Sequence, residues 1–541
     1  MTDQQYDVQL TESYMPPQED AEVLQTTVGG LLREIAADVP DQLALVEVTM
    51  EGKTGRCWTY AEMLADAEEL AQALASRFEP GERLAVWSPN TPEWLVMEYA
   101  SALAGLVLVT INPAYQGKEL DYVLKQSGAV ALFLTEEYRG NPMAEIAAEI
   151  CPPIEVVREV NIMEDRAAMY ATGDRIADLP NVKPADAAQI QYTSGTTGFP
   201  KGAILHHLGL TNNARLVTRR LGVEPGDIWL NFMPMFHTSG CAIAALGVMQ
   251  SRATMYLAKI FDPGDANRLI KEEGVAFALG VPTMLIGMLE ANRLEPTDYS
   301  SLKATVSGGS MVPPELIRQV QKTFGCGFET VYGQTETSPV VTQTRTTDSF
   351  EDVCETVGQP LPQIGISIRS TISNEVVPLG TVGEICSKGH CNMIGYNDNP
   401  EATAATIDNL NWLHTGDLGT MDSRGFVRVT GRVKEMIIRG GENLFPVEIE
   451  NILLEHPAVA EVAVVGLPDQ KWGEIVACFF RPESGQDFEK QDLVAHCRHH
   501  LAAHKTPVRW ISVSEFPLTG SGKIQKFALR DAYEKGDYQD F

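Results

Sequence analysis

A chain of 541 residues is longer than one hydrophobic core can organise, so several structural units are expected. With 44% apolar and 21% charged residues it has a globular composition, and no apolar run approaches the length of a membrane-spanning helix. Its 42 basic and 72 acidic residues give a formal net charge of -30, a field that repels phosphate backbones and anionic headgroups and argues against nucleic acid or membrane surfaces as partners.

Residues 1–22 are polar and acidic and lack the basic-then-apolar order of a secretory leader, so they read as a tail and the chain as cytoplasmic. A regular alternation starts at Thr59. Thr59 and Glu62 stand at capping-box spacing ahead of Met63, Ala67, Leu70, Ala71, Leu74 and Phe78, which predicts an amphipathic helix. Apolar runs at 84–87, 106–111 and 129–134 predict strands, with helical segments after Ser88-Pro89-Asn90 and over 118–126 between them. Such alternation marks an α/β fold, a mostly parallel sheet covered by helices on both faces. The pattern changes after Gly431. Pro446 opens a helix over 447–454, and strands at 462–465 and 475–480 with a helix near 492–503 make a compact unit of mixed type. The expected organisation is a tail (1–22), a large domain of layered sheets and helices (23–431), a hinge (432–434) and a small mobile α+β domain (435–541). Nine cysteines without a C-x-x-C pair argue against a zinc site or a disulfide framework.

The densest functional signal is Tyr192-Thr193-Ser194-Gly195-Thr196-Thr197-Gly198-Phe199-Pro200-Lys201-Gly202. Small hydroxyl residues and glycines directly after an alternating segment make a loop that can wrap a polyphosphate, and Lys201 adds a point charge. It is not a Walker A loop, because the spacing differs and Gly202 stands where the magnesium-binding hydroxyl would be. Further along come Ser307-Gly308-Gly309-Ser310, Val331-Tyr332-Gly333-Gln334-Thr335-Glu336-Thr337, Trp412-Leu413-His414-Thr415-Gly416-Asp417, Gly431-Arg432-Val433-Lys434 and Pro517-Leu518-Thr519-Gly520-Ser521-Gly522-Lys523.

In that order these segments resemble the adenylate-forming superfamily of acyl-CoA synthetases, luciferases and peptide-synthetase adenylation domains, over nearly the whole chain. The resemblance implies that Thr193, Ser194, Gly195, Thr196, Thr197, Gly198 and Lys201 close over the phosphates of ATP. It implies that Tyr332 stacks on adenine near Gly309 and Gly333, that Thr335 meets the α-phosphate, and that Glu336 holds Mg²⁺. Asp417 and Arg432 would bind the ribose, and Lys434 would be the hinge. Lys523 would bridge the attacking carboxylate and the α-phosphate, on a loop whose glycines let it enter and withdraw. His237 would border the substrate carboxylate in an acyl site drawn from Gly240, Cys241, Val281, Gly308, Gly309 and Val340. Arg439, Gly440, Gly441 and Glu442 would line the arm of coenzyme A.

These acyl-site residues are apolar or small and offer no anionic partner for an amino group, so an aliphatic acid leads over an amino acid. The implied reaction is adenylation of a fatty or other aliphatic acid with release of pyrophosphate, followed by transfer to coenzyme A with release of AMP. The Gly441-Glu442-Asn443-Leu444-Phe445-Pro446 stretch looks closest to medium-chain or general fatty acyl-CoA ligases. Aryl, short-chain and thio-substituted acids, a luciferase-like monooxygenase and a non-catalytic nucleotide-binding protein are the alternatives, and a homodimer is compatible with the sequence.

Overall fold

The computed structural model describes residues 4–173, 178–193, 200–310, 312–440, 442–483, 488–518 and 524–541. The predicted amphipathic helix is Tyr60–Ala75. Thr59 accepts from the Glu62 N–H and the Glu62 carboxylate reaches back to the Thr59 N–H, the reciprocal cap that its spacing announced. Its apolar stripe, from Met63 to Leu74, is buried against Pro92–Leu103, a helix started by Thr91 and a proline in its first turn.

Two largely parallel sheets organise the larger part of the molecule. One has seven strands in the order Gly395–Tyr396, Lys201–His206, Ala187–Thr193, Val107–Ile111, Arg83–Trp87, Ala131–Leu134 and Glu159–Ile162. Its last five strands are parallel, and the first two close the edge antiparallel. The second has nine strands, with Ala304–Gly308 and Gly327–Gly333 parallel neighbours near one edge. The central strands are buried on both faces, which explains their largely apolar sequences, as in Ala131–Leu134. A five-stranded antiparallel sheet adds Tyr14–Met15, Ile364–Arg369, Gly383–Gly389, Leu413–Met421 and Val427–Arg432.

The C-terminal part is built on a separate sheet, led by the long hairpin Val459–Asp469 with Gly473–Pro482 and a parallel edge strand Arg509–Ser512. It has its own apolar clusters, with Phe479, Ile511 and Leu529 on one face and Phe480, Cys497 and Trp510 on the other. The helix expected near 492–503 runs over Lys490–His500 instead. Glu489 and Asp492 make its capping box, and Leu501 turns extended, so Ala503–Lys505 forms a separate 3-10 turn. No helix among the described residues is long and apolar enough to cross a membrane.

Candidate active site

Three strands end where the motifs lie. Ala187–Thr193 delivers Thr193, Ala304–Gly308 delivers the Ser307-Gly308 pair, and Gly327–Gly333 delivers Tyr332 and Gly333, all at carboxyl ends of parallel strands, the edge at which open α/β sheets bind ligands. Thr193 pairs with Lys201 in the antiparallel register of their two strands, its hydroxyl 3.4 Å from the Lys201 carbonyl oxygen. Ser194, Gly195, Thr196, Thr197 and Gly198 lie outside the described residues, as do Gly441 and Lys523.

Lys201 and Glu336, 135 residues apart, meet through a residue that the motifs did not single out. The Lys201 ammonium sits 4.9 Å from the centre of the Tyr396 ring, and the Tyr396 hydroxyl donates to Glu336 Oε1 at 2.7 Å. Burial, with the Glu336 charge beside it, raises the Tyr396 phenol well above its ordinary value, so it stays a donor. Glu336 lies in the 3-10 turn Thr335–Thr337 with only 8% of its surface exposed, and its carbonyl accepts from Met393 N–H at 2.8 Å. A carboxylate held this deeply suits a cation with hard oxygen ligands.

Asp417 closes the other side. Strand pairing sets it opposite Arg432, whose Nε approaches Asp417 Oδ1 at 2.9 Å, and the Tyr332 hydroxyl donates to Asp417 Oδ2 at 3.0 Å. The Asp417 charge raises Arg432, and burial followed by that same charge raises Tyr332. Asp417 is 5% exposed while the Arg432 side chain is half exposed, so the carboxylate is the fixed partner. Behind it stands a buttress absent from the sequence reading. Glu384 Oε1 accepts from the Gly416 N–H at 2.9 Å and Oε2 pairs with His414 Nδ1 at 2.8 Å. This hydrogen bond, more than the opposing desolvation, raises the His414 imidazole above its ordinary value.

Two of the acyl-site residues, Gly240 and Cys241, lie in one irregular element. Ser239–Leu246 is a π-helix, a widened turn favoured at functional sites. Gly240 fits there because a Cβ would stand 2.3 Å from the Pro234 carbonyl oxygen. His237 Nδ1 accepts from the Ser239 N–H at 3.2 Å, which leaves Nε2 to carry the proton of a neutral ring. Cys241 is fully buried, its thiol raised by burial and bonded by Gln191 Nε2 at 3.1 Å, and Gln189 continues the chain to Glu98 at 2.6 Å. Cys241 thus anchors the helix to the strand that ends at Thr193. Val281 caps the helix Pro282–Leu294, and Val340 is clamped by Asn213 through both its N–H and its carbonyl. Gly308 has a reason other than ligand access: a Cβ there would lie 2.3 Å from the Val331 carbonyl oxygen, so its bareness serves the strand pairing. Gly309, exposed with φ +77°, is the member of the pair that a ligand can reach.

Lys434 falls in the turn between Val427–Arg432 and Ile437–Arg439. Ile437–Arg439 forms a hairpin with Glu442–Leu444. Arg439 lies 5.7 Å from the Trp472 ring and donates to the His504 carbonyl, while Glu442 pairs with His504 Nε2 at 2.9 Å.

The description "AMP-binding enzyme" belongs to the family model matching residues 32–397, and the corresponding C-terminal domain model matches 448–523. The chain is 36% identical to Bacillus subtilis YngI, which carries a provisional acyl-CoA synthetase name, over 94% of this chain and 98% of that one. It is 33% identical to the mitochondrial medium-chain acyl-CoA ligase ACSF2 of Macaca fascicularis, over 95% and 88%. Among solved structures, ATP-bound MatB from Rhodopseudomonas palustris superposes with a TM-score of 0.83 at 28% identity, covering 94% of this chain and 99% of MatB. Strand ends carrying Thr193 and Gly333, a carboxylate at Asp417 and this degree of similarity lead to one assignment: the chain belongs to the AMP-binding enzyme family, the adenylate-forming enzymes, in its acyl-CoA synthetase branch.

Proposed function

We propose that this acyl-CoA synthetase activates a medium-chain or similar aliphatic carboxylic acid with ATP and passes the acyl group to coenzyme A. The observation that carries the reading is a pair of side-chain groups, Asp417 with Arg432 and Tyr332, and Glu336 with Tyr396 and Lys201. Asp417 accepts the ribose hydroxyls, since an ionised carboxylate has acceptor sites to spare beyond Arg432 and Tyr332. The Tyr332 ring borders adenine beside Gly309 and Gly333. Thr193, Lys201 and Thr335 bind the phosphates, with Ser194, Gly195, Thr196, Thr197 and Gly198 completing that loop. Glu336, a buried oxygen ligand, is the residue for Mg²⁺, which would supply neutralisation of phosphate charge.

His237, with its proton on Nε2, donates toward the acid carboxylate and orients it. Cys241, Val281 and Val340 are buried and apolar, and with Gly240 and Gly309 they line the site proposed for an alkyl chain. Lys523 stabilises negative charge as the acid oxygen attacks the α-phosphorus and pyrophosphate departs. The unit 435–541 then turns about Lys434, withdrawing Lys523 and bringing Arg439, Gly440, Gly441 and Glu442 to the pantetheine arm. The thiol attacks the acyl carbonyl and AMP leaves. The proposed site of action is the cytoplasm, with its pools of acid and coenzyme A.

The test is pyrophosphate release over a panel of straight-chain, branched, aryl and dicarboxylic acids, with and without coenzyme A. Release is expected with aliphatic acids of intermediate length, and thioester only when coenzyme A is present. Preference for a dicarboxylic or aryl acid would overturn the substrate assignment.

A further inference from the structure

At the far end of the helix that follows the CoA segment, a second group of chemically capable side chains stands outside the site described above. Pro446–Leu454 ends at Glu455, and Lys490–His500 packs beside it through Leu493 and Cys497. One ligand atom from each of Glu455, His496 and His500 lies within 4.8 Å of the other two. His496 and His500 are one helical turn apart and therefore share a face, their ring centres 4.8 Å apart.

His496 is already oriented as a metal ligand is. Its Nε2 lies 2.8 Å from the Ile452 carbonyl oxygen, which can only accept, so Nε2 carries the proton and the lone pair is on Nδ1. A ring N–H donated to a backbone carbonyl is the arrangement that fixes tautomer and direction in metal-bound histidines. The bond also ties the helix bearing the two histidines to the last turn of the helix bearing Glu455. Three ligands of type His, His and carboxylate, with His500 and Glu455 exposed, leave open positions for water, a set suited to zinc and its neighbours in the first transition row. The net charge of -30 raises the local concentration of any divalent cation.

We propose that Glu455, His496 and His500 form a divalent transition-metal site, occupied by one Zn²⁺, that fastens the ends of these two helices together. No role in acid activation is needed for it.

Isothermal titration of the full-length protein with zinc chloride, in a buffer that does not bind metal, tests the site. One equivalent should bind, and His500→Ala and Glu455→Gln should each weaken that event by at least about tenfold, the scale on which metal sites respond to lost support. His499→Ala, an exposed neighbour outside the triad, should bind within about twofold of the parent, a difference too small to mark a lost ligand. Far-UV circular dichroism confirms that each variant is folded, and since His500 and Glu455 are exposed their replacement leaves the packing intact. Zinc binding unchanged in His500→Ala and Glu455→Gln, or no binding to the parent protein, would overturn the proposal.

Discussion

Replacing Glu384 by alanine probes how firmly the Asp417 turn must be held. Glu384 makes two charge-assisted hydrogen bonds, to the Gly416 N–H at 2.9 Å and to His414 Nδ1 at 2.8 Å. Its side chain is 17% exposed and that of His414 is 19% exposed, so solvent screening is incomplete. Hydrogen bonds to charged groups contribute about 1.5–3 kcal/mol each; at the low end of that range the pair of bonds amounts to about 3 kcal/mol. The histidine share depends on pH. The pKa of His414 is raised in the folded protein, so its contribution is complete below the ordinary histidine value of about 6.5 and fades as pH rises through the raised one.

Glu384→Ala should therefore cost about 3 kcal/mol of stability at pH 6 and distinctly less at pH 9, read from urea unfolding midpoints. Glu384→Gln retains an acceptor for Gly416 and should lose chiefly the pH-dependent part. With the turn slackened, nucleotide binding should weaken about tenfold, equivalent to about 1.4 kcal/mol, visible as a raised KM for ATP in pyrophosphate exchange with a smaller change in kcat. Unchanged KM and stability in Glu384→Ala, or a stability loss identical at both pH values, would refute this reasoning.

Glu329 lies fully buried in the strand Gly327–Gly333, and burial raises its carboxyl to about 7. A raised carboxyl keeps a proton that the unfolded chain releases above its ordinary value of 4.5, so the protein loses stability as pH climbs from about 4.5 toward 7. Glu329→Gln should remove that slope, gaining up to about 3 kcal/mol over the parent between pH 5 and pH 8; an equal difference at both pH values would show that the carboxyl is not the cause. Tyr396→Phe deletes the donor to Glu336 but keeps the ring under Lys201. It should raise the Mg²⁺ concentration for half-maximal adenylation and lower kcat about tenfold, and an unaltered Mg²⁺ dependence would remove Tyr396 from the site. Lys523→Ala should abolish acyl-AMP formation from acid and ATP while sparing thioester formation from preformed acyl-AMP; equal loss of both half-reactions would remove the distinct role given to Lys523.

Much of this was legible before any coordinates. The Thr59–Glu62 cap, the fully buried strand Val107–Ile111 and the helix begun at Pro446 follow from local rules of spacing and propensity, and each stands within a few residues of its predicted place. The pairing of Asp417 with Arg432 could be anticipated only through family resemblance, because fifteen residues separate them in sequence and only the register of two antiparallel strands joins them. Tyr396 and Glu384 escape sequence reading for the same physical reason. Tyr396 lies 60 residues from the carboxylate it supports, and Glu384 lies 32 from the N–H it holds, so no local periodicity signals either. The glycine pair was legible as a strand end but not in purpose, since only the neighbouring strand reveals that Gly308 yields to Val331.

The central claim is that the acid strikes the innermost phosphorus of ATP at the site built from Asp417 and Glu336. ATP labelled at the α-phosphate, incubated with an aliphatic acid and Mg²⁺, tests it directly. Label should pass to acyl-AMP, and then to AMP once coenzyme A is added, with one pyrophosphate released for each acid activated. Label recovered in ADP, with orthophosphate released, would contradict the account.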